Sequence, residues 1–577
     1  MAPFPPGAGA TTLRRLLVFA ALAACGCRST GPDLSIASMR AAGVGSSSES
    51  LVPRVCRARR EGRRLERQGV DASVDHYYRA TVFAAAAVTA APGSTEARDL
   101  YNECLVDCLR AGQVFGRLDA RRALRVHGPN GTTTVPIRRI GFVWADEDFD
   151  RVVDPASAPP NPSAHADNET PGLGAAIAVE RVNPKRGGQD DFLPRNAVFN
   201  ATAVLRPDLD AWLSPAGRAP ADVLELYDPL RVPDVPFGPA SSPPLHVAPN
   251  AAIAVARQIQ VERGPYALAG FATPERMLGQ ADIRMIEPHQ PGKSPILLIH
   301  GLVNDPFLFN DMLAALQRTP GFLDRYQVWV YRYPTGVTFL RTAAILRAEI
   351  ERISRTLDPD GADPALRNWT LVGFSLGGMI ARLQVSHSGD AVWNAVATRP
   401  FQTLRIDDQA RRAIKDMLFF EPSPRVRRVI FLATPHDGAS PPASAASLLT
   451  SWIVQRPADS RRLIEKVERD NPGAVRPTFR RLPSSVDALA AYSPLLPAIR
   501  GLPYDPAVEI HTIAGTGFLN PAYGGFGDLV VPLSSAHVDE AVSEHHVRAV
   551  HTAIYYNPDA IAEVQRILGF APAWEVD

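Results

Sequence analysis

The stretch WTLVGFSLGGMIARLQVSH, residues 369–387, decides how the rest of the chain is read. It holds a Gly-x-Ser-x-Gly pentapeptide centred on Ser375, and with 41 glycines among 577 residues such a pentapeptide can arise by chance. Its flanks give it meaning. WTLVG is a short, mostly apolar run with the composition of a buried strand, and MIARLQVSH has the apolar spacing of a helix. Ser375 therefore stands on a strand-to-helix turn. Gly373 and Gly377 fall where strand and helix approach too closely for side chains, and the turn holds the serine in a strained conformation. A helix N-terminus beneath the serine also favours negative charge there.

Outward from this turn the pattern repeats. PILLIH (295–300) is a continuous apolar strand, PFLFNDMLAALQR (306–318) a helix, YQVWVYRY (326–333) a strand, and VTFLRTAAILRAEIERISRTL (337–357) a long amphipathic helix. Beyond the serine, RVRRVIFLAT (425–434), VEIHTIAG (508–515) and SEHHVRAV (543–550) read as strands, and NPDAIAEVQRIL (557–568) as the closing helix. Apolar strands alternating with helices predict an α/β fold over residues 280–577, a mostly parallel sheet covered by helices on both faces.

A serine hydroxyl needs a base, and the base needs a partner that fixes its tautomer. For a serine on such a turn the acid and then the histidine follow in chain order. Asp528, after the strand VEIHTIAG, and His551, after SEHHVRAV, meet that order. Asp437 in ATPHDG is the alternative acid. His545 and His546 fall inside the predicted last strand and His537 before it, so each reads as structural or surface. Adjacent strand residues point to opposite faces, which argues against a metal cluster of His545, His546 and His551. The oxyanion needs two backbone N–H groups. The candidates are Leu376, directly after the serine, and Leu302 in HGLVND (300–305), with His300 buttressing that loop. This chemistry asks for no cofactor and no metal.

In this order, PILLIHGL, YPTG, LVGFSLGG, FLATPHDG, DLVVPLSSA and HTAIYYNPDAIAEVQRIL resemble bacterial α/β-hydrolase-fold esterases and lipases. Among these are relatives of the GPI inositol-deacylase-like and triacylglycerol-lipase families. The resemblance implies the α/β-hydrolase fold, a Ser375, Asp528, His551 triad and an acyl-ester or lipid substrate. Phe374 stands where such lipases usually carry His, and Leu376 where they often carry Met, departures that bear on substrate shape. Segments near 389–424 and 438–506 read as cap insertions, and SLLTSWIV (447–454) is apolar enough to line or cover an acyl pocket, or to be packing core. An acyltransferase would use the same residues. A non-catalytic envelope scaffold or binding lipoprotein is the reading from a different class.

A chain of 577 residues calls for at least two domains. Lys plus Arg (61) balance Asp plus Glu (60), with no long block of one sign, so nothing points to nucleic acid. Residues 1–30 read as an export signal: Arg14 and Arg15, then LLVFAALAA (16–24), too short to span a bilayer. LAAC (22–25) resembles a lipobox, making Cys25 the acylation site of a lipoprotein in the cell envelope, with the outer membrane as the family-based destination. An ordinary cleaved signal peptide is the alternative. Residues 31–56 read as a flexible tether, 57–127 as a helical hairpin, and 128–275 as a mainly β accessory domain. Within the last, AAIAVARQI (251–259) is read among the β-rich segments. Cys56, Cys104 and Cys108 allow one disulfide or three packed thiols. Protein partners are not legible.

Overall fold

Strand SPILLI shows why the second half of the chain folds as it does. Ile296 and Leu298 pack with Ile561 and Val564 of the closing helix, whereas Leu297 and Ile299 pack with Phe339 and Leu346 of the long helix. Alternate side chains thus enter two separate cores, and a strand buried on both faces must be apolar throughout. The computed structural model describes residues 48–571 apart from 129–130, 159–168, 183–186, 214–219, 239–241, 263–276, 303, 440–457, 478–492 and 521–524.

The described residues open with three helices, α1 (Ser48–Arg67), α2 (Ser73–Ala90) and α3 (Thr95–Val114). They precede strands β1 (Leu118–Asp119), β2 (Ala123–Gly128), β3 (Gly131–Ile140), β4 (Arg151–Val153), β5 (Ala175–Val182), β6 (Asn196–Arg206) and β7 (Val223–Tyr227). These strands form one sheet in the order β1-β2-β3-β7-β6-β5-β4, in which only β3 and β7 pair in parallel. Helices and sheet share a core. The hydroxyl of Tyr101 on α3 donates to Leu205 O and accepts from Leu205 N, both at 2.8 Å. Asn102 spans from Gly172 O to Gly174 N at 2.9 and 2.7 Å.

Three differences from the sequence reading follow. Helix begins at Ser48, inside the expected tether, because Leu51, Val55 and Ala58 recur at helical spacing and are buried. The region 57–127 is the greater part of a three-helix unit running into β1 and β2, and the helices are not apart from the β region. AAIAVARQI lies in a helix, α4 (Asn250–Glu262), rather than a strand. A short apolar run is ambiguous between the two periods, and here the alanines favour helix. Cys56, Cys104 and Cys108 form no disulfide with one another; burial pushes the thiols of Cys104 and Cys108 well up.

The second sheet comprises β8 (Asp282–Met285), β9 (Ser294–Ile299), β10 (Tyr326–Arg332), β11 (Trp369–Phe374), β12 (Val426–Leu432), β13 (Glu509–Thr516) and β16 (Ser543–Arg548). A small hairpin of β14 (Phe518–Asn520) and β15 (Gly525–Gly527) lies between the last two in sequence. The order is β16-β13-β12-β11-β9-β10-β8, every pair parallel except β8 with β10. This strand order, with one antiparallel edge strand and the strand-turn-helix at β11, is that of the α/β-hydrolase fold. The two units meet beside β8. Arg284 donates to Asp191 O and Leu193 O, both at 3.0 Å, Arg231 pairs with Glu287 at 2.7 Å, and the Arg352 guanidinium lies 4.2 Å over the Phe192 ring.

The segments near 389–424 and 438–506 carry helices among their described residues. α8 (Ala391–Val396) and α9 (Asp408–Leu418) occupy the first, and α10 (Ala458–Asp470) and α11 (Leu495–Arg500) the second. For the rest of the numbering, α5 is Asn310–Arg318, α6 Phe339–Leu357, α7 Leu376–Arg382, α12 Leu533–Ala536 and α13 Pro558–Ile567. SLLTSWIV lies outside the described residues. No described helix is long and apolar enough to cross a membrane.

Candidate active site

Strand β11 delivers Ser375 to the carboxyl edge of the sheet and α7 leaves directly from it. Ser375 has φ 53° and ψ −118°, a conformation that costs about 1–3 kcal/mol and persists only where its surroundings enforce it. Glycines supply that enforcement. A Cβ on Gly377 would lie 2.1 Å from Ile299 O, and one on Gly373 2.6 Å from Gly377 O. Strand and helix can cross this closely only without those side chains.

The three candidates meet. His551 Nε2 lies 2.9 Å from Ser375 Oγ, and His551 Nδ1 donates to Asp528 Oδ2 at 2.7 Å. The other Asp528 oxygen, Oδ1, accepts from Val530 N at 2.9 Å and Val531 N at 2.7 Å. The carboxylate, 1 % exposed, is therefore satisfied on both oxygens. His551 N donates to Asp528 O at 2.9 Å, so backbone as well as side chain ties acid to base. With Nδ1 carrying its proton toward the carboxylate, Nε2 is left to accept from the serine hydroxyl.

Among the described residues only Ser375, Ala433 and Leu529 combine positive φ with a side chain, at 53°, 47° and 77°. Each sits at this site: one is the serine, one follows β12 beside it, and one follows Asp528. Strain gathered at one place is a mark of function.

Leu376 is the first residue of α7, so its N–H has no acceptor within the helix. Leu302 lies in the loop after β9, next to Gly301. A Cβ on Gly301 would fall 2.9 Å from Phe374 Cδ1 and 3.2 Å from Ser375 Cβ, so this loop closes directly over the serine. His300 is fully buried, its ring stacked on Tyr333 at 4.3 Å, and the Tyr333 hydroxyl donates to His300 O at 2.5 Å. Burial lowers its pKa to about 4, leaving it neutral and fit for the buttressing role.

Phe374, directly before the serine, packs its ring 5.0 Å from His551 and edge-on to Tyr555 at 5.1 Å. Phe374 thus places an apolar wall beside His551. Asp437 pairs with Arg500 and not with His551. His537 and His546 both contact Glu544 at 2.6 Å on the exposed edge strand β16. Among the described residues no group of His, Cys, Asp and Glu is arranged to hold a metal ion.

Sequence reasoning missed Gly515. A Cβ there would lie 2.7 Å from Asp528 Cβ and 2.8 Å from Ala549 O, so only glycine lets the acid settle against β13. The available signal was an isolated glycine inside a strand pattern, which marks close approach. An apolar cavity lies between α6 and helices α8, α9, α10 and α11, walled by Phe339, Leu340, Trp393, Met417, Ile464 and Leu495. Ser375 is not among its lining residues.

No family model matches the chain, and no curated protein matches it. Solved structures do resemble it. The mature form of the Bacillus licheniformis lipase BlEst2 is 17 % identical over 48 % of this chain and 93 % of its own, with a TM-score of 0.29. A lipase-esterase related protein from Clostridium acetobutylicum is 12 % identical over 48 % and 94 %, TM-score 0.24. The bottromycin epimerase BotH is 17 % identical over 50 % and 93 %, TM-score 0.25.

Proposed function

We propose that this chain is a serine hydrolase of carboxylic esters, of esterase or lipase type, working through an acyl-enzyme on Ser375. The observation that carries the reading is the continuous run from Ser375 Oγ through His551 to Asp528, at 2.9 and 2.7 Å, with the serine on a strained turn. The reading rests on these side chains and not on the fold, because one fold hosts many chemistries.

In this mechanism Ser375 Oγ attacks the ester carbonyl carbon while His551 Nε2 takes its proton. Asp528 stabilises the resulting imidazolium and holds its orientation. The oxyanion is held by the Leu302 and Leu376 N–H groups. As the carbonyl re-forms, the bond to the alcohol breaks and His551 protonates the departing oxygen. A water, deprotonated by the same histidine, then attacks the acyl-enzyme, and the acid leaves with Ser375 restored. The substrate is an acyl ester or lipid. The chain is tethered to the cell envelope through acylated Cys25, a reading supported by LAAC after a basic and apolar leader.

The test is turnover of chromogenic esters of graded acyl length by the full chain purified in mild detergent. Turnover lowered at least ~1,000-fold in Ser375→Ala supports the reading; a folded wild-type protein that turns over none overturns it. Added alcohols that intercept the acyl group in place of water would recast the enzyme as a transferase. For the anchor, alkyne-palmitate fed to an expressing bacterium should label the wild-type chain. Label persisting in Cys25→Ala would refute that attachment point.

A further inference from the structure

The segment ATPHDG (433–438) is unused by the mechanism, yet it runs between the two halves of the site. On the serine side, Ser375 N donates to Leu432 O at 2.9 Å. A Cβ on Gly378 of α7 would lie 1.8 Å from Thr434 Oγ1, so the nucleophile helix rests on this segment. Arg382, at the end of α7, donates from Nη1 to His436 Nδ1 at 3.1 Å and from Nη2 to Arg500 O at 2.8 Å.

On the acid side, His436 N donates to Ser535 O at 2.9 Å. Asp437 N donates to Ser535 Oγ at 3.0 Å, and Ser535 Oγ donates to Gly438 O at 2.7 Å. Ser535 lies on α12, which follows Asp528 after four residues, and Thr512 Oγ1 of β13 donates to Ala536 O at 3.0 Å. Ala433, with φ 47°, begins the segment in a conformation that must be enforced from both sides. His436 itself is 1 % exposed, with Phe431 edge-on to its ring at 4.7 Å. Burial, with Arg382 and Arg500 nearby, keeps its pKa far below the ordinary value, so Nδ1 stays free to accept from the guanidinium.

We propose that His436 is a positioning residue: gripped by Arg382 through its ring and by Ser535 through its backbone, it fixes the nucleophile turn of Ser375 relative to the Asp528 loop. The inference rests on the triad reading above. Its consequence is specific. Loosening this brace shifts the acid and base against the serine without touching the substrate, so it lowers kcat and leaves KM alone. A displacement of about 1 Å at such a site costs on the order of 100-fold in rate.

The experiment compares His436→Leu, which removes the acceptor, with His436→Asn, whose Oδ1 can still accept from Arg382, and with Ser535→Ala. Each full-length protein is assayed for kcat, KM, melting temperature and rate of inactivation by a fluorophosphonate. His436→Leu should lose ~10- to 100-fold in kcat with KM within about twofold, His436→Asn should recover to within about threefold of wild type, and Ser535→Ala should fall between. If the leucine variant does not fold, the asparagine and alanine variants carry the comparison. Unchanged kcat in His436→Leu and Ser535→Ala overturns the inference, as does equal loss in the leucine and asparagine variants that follows melting temperature alone. A folded wild-type protein inert to fluorophosphonate removes the triad reading and this inference with it. A reactive wild type matched in rate by His436→Leu removes this inference only.

Discussion

Asp528→Asn separates the functions of the carboxylate cleanly, because its two oxygens have different partners. Oδ1 accepts from Val530 N and Val531 N at 2.9 and 2.7 Å, and those donors will hold the amide oxygen of an asparagine in the same place. The amide nitrogen is then forced to face His551 Nδ1, where a carboxylate oxygen now lies at 2.7 Å. Two donors cannot face each other, so His551 must move its proton to Nε2. Nε2 then presents a hydrogen to Ser375 Oγ, 2.9 Å away, and can no longer take one. Geometry survives and basicity toward the serine is lost. In the serine-protease triad the equivalent change costs ~10⁴-fold in kcat, which corresponds to about 5.5 kcal/mol of transition-state stabilisation. The assay is kcat/KM for a chromogenic ester, with melting temperature as the check on folding. Asp437→Asn, changing the other candidate acid, should stay within about threefold of wild type. An Asp528→Asn protein that keeps activity within about tenfold of wild type would show that Asp528 does not set the tautomer of His551.

Other outcomes follow from the same structure. Gly515→Ala puts a methyl 2.7 Å from Asp528 Cβ, so kcat should fall at least ~10-fold while KM holds, read from ester kinetics. Phe374→Ala removes a ring that is 2 % exposed and packed on His551 and Tyr555; urea unfolding should show a loss of about 3–5 kcal/mol, and Phe374→Leu a smaller one. His300 and His511 each have a pKa lowered to about 4 by burial, against an ordinary 6.5. The unfolded chain therefore binds the extra protons between those values, and stability present above pH 6.5 is lost as pH falls toward 4, by up to about 3 kcal/mol per histidine. Urea midpoints measured from pH 7 to pH 4.5 should fall, and His511→Gln should flatten the fall; an unchanged slope would contradict the assignment of His511.

What could be read from residues alone was whatever local pattern dictates. Ser375 was legible because a strand, a glycine-bounded turn and a helix are each local, and Ile296 to Ile299 announced a strand covered on both faces. Asp528 and His551 were legible as candidates only through their order after the late strands, and His545 and His546 were set aside because they fall inside the last one. Less was visible where long-range packing decides. Gly515 is needed because of Asp528, thirteen residues on, and the Arg382–His436 bond joins residues 54 apart. AAIAVARQI fits either period, and its alanines together with its packing against β5 and β6 select helix. The start of α1 was hidden because Ser- and Gly-rich sequence runs up to Ser48 and the burial of Val55 comes from helices further along.

In the proposed mechanism Ser375 is a nucleophile activated by His551 and Asp528. The most direct measurement is the intact mass of the full chain after exposure to a fluorophosphonate, followed by mapping of the modified peptide. One adduct on Ser375, absent from Ser375→Ala and formed at least ~100-fold more slowly in His551→Ala, is the predicted result. A folded wild-type protein that gains no mass, or gains it on another residue, would contradict the account.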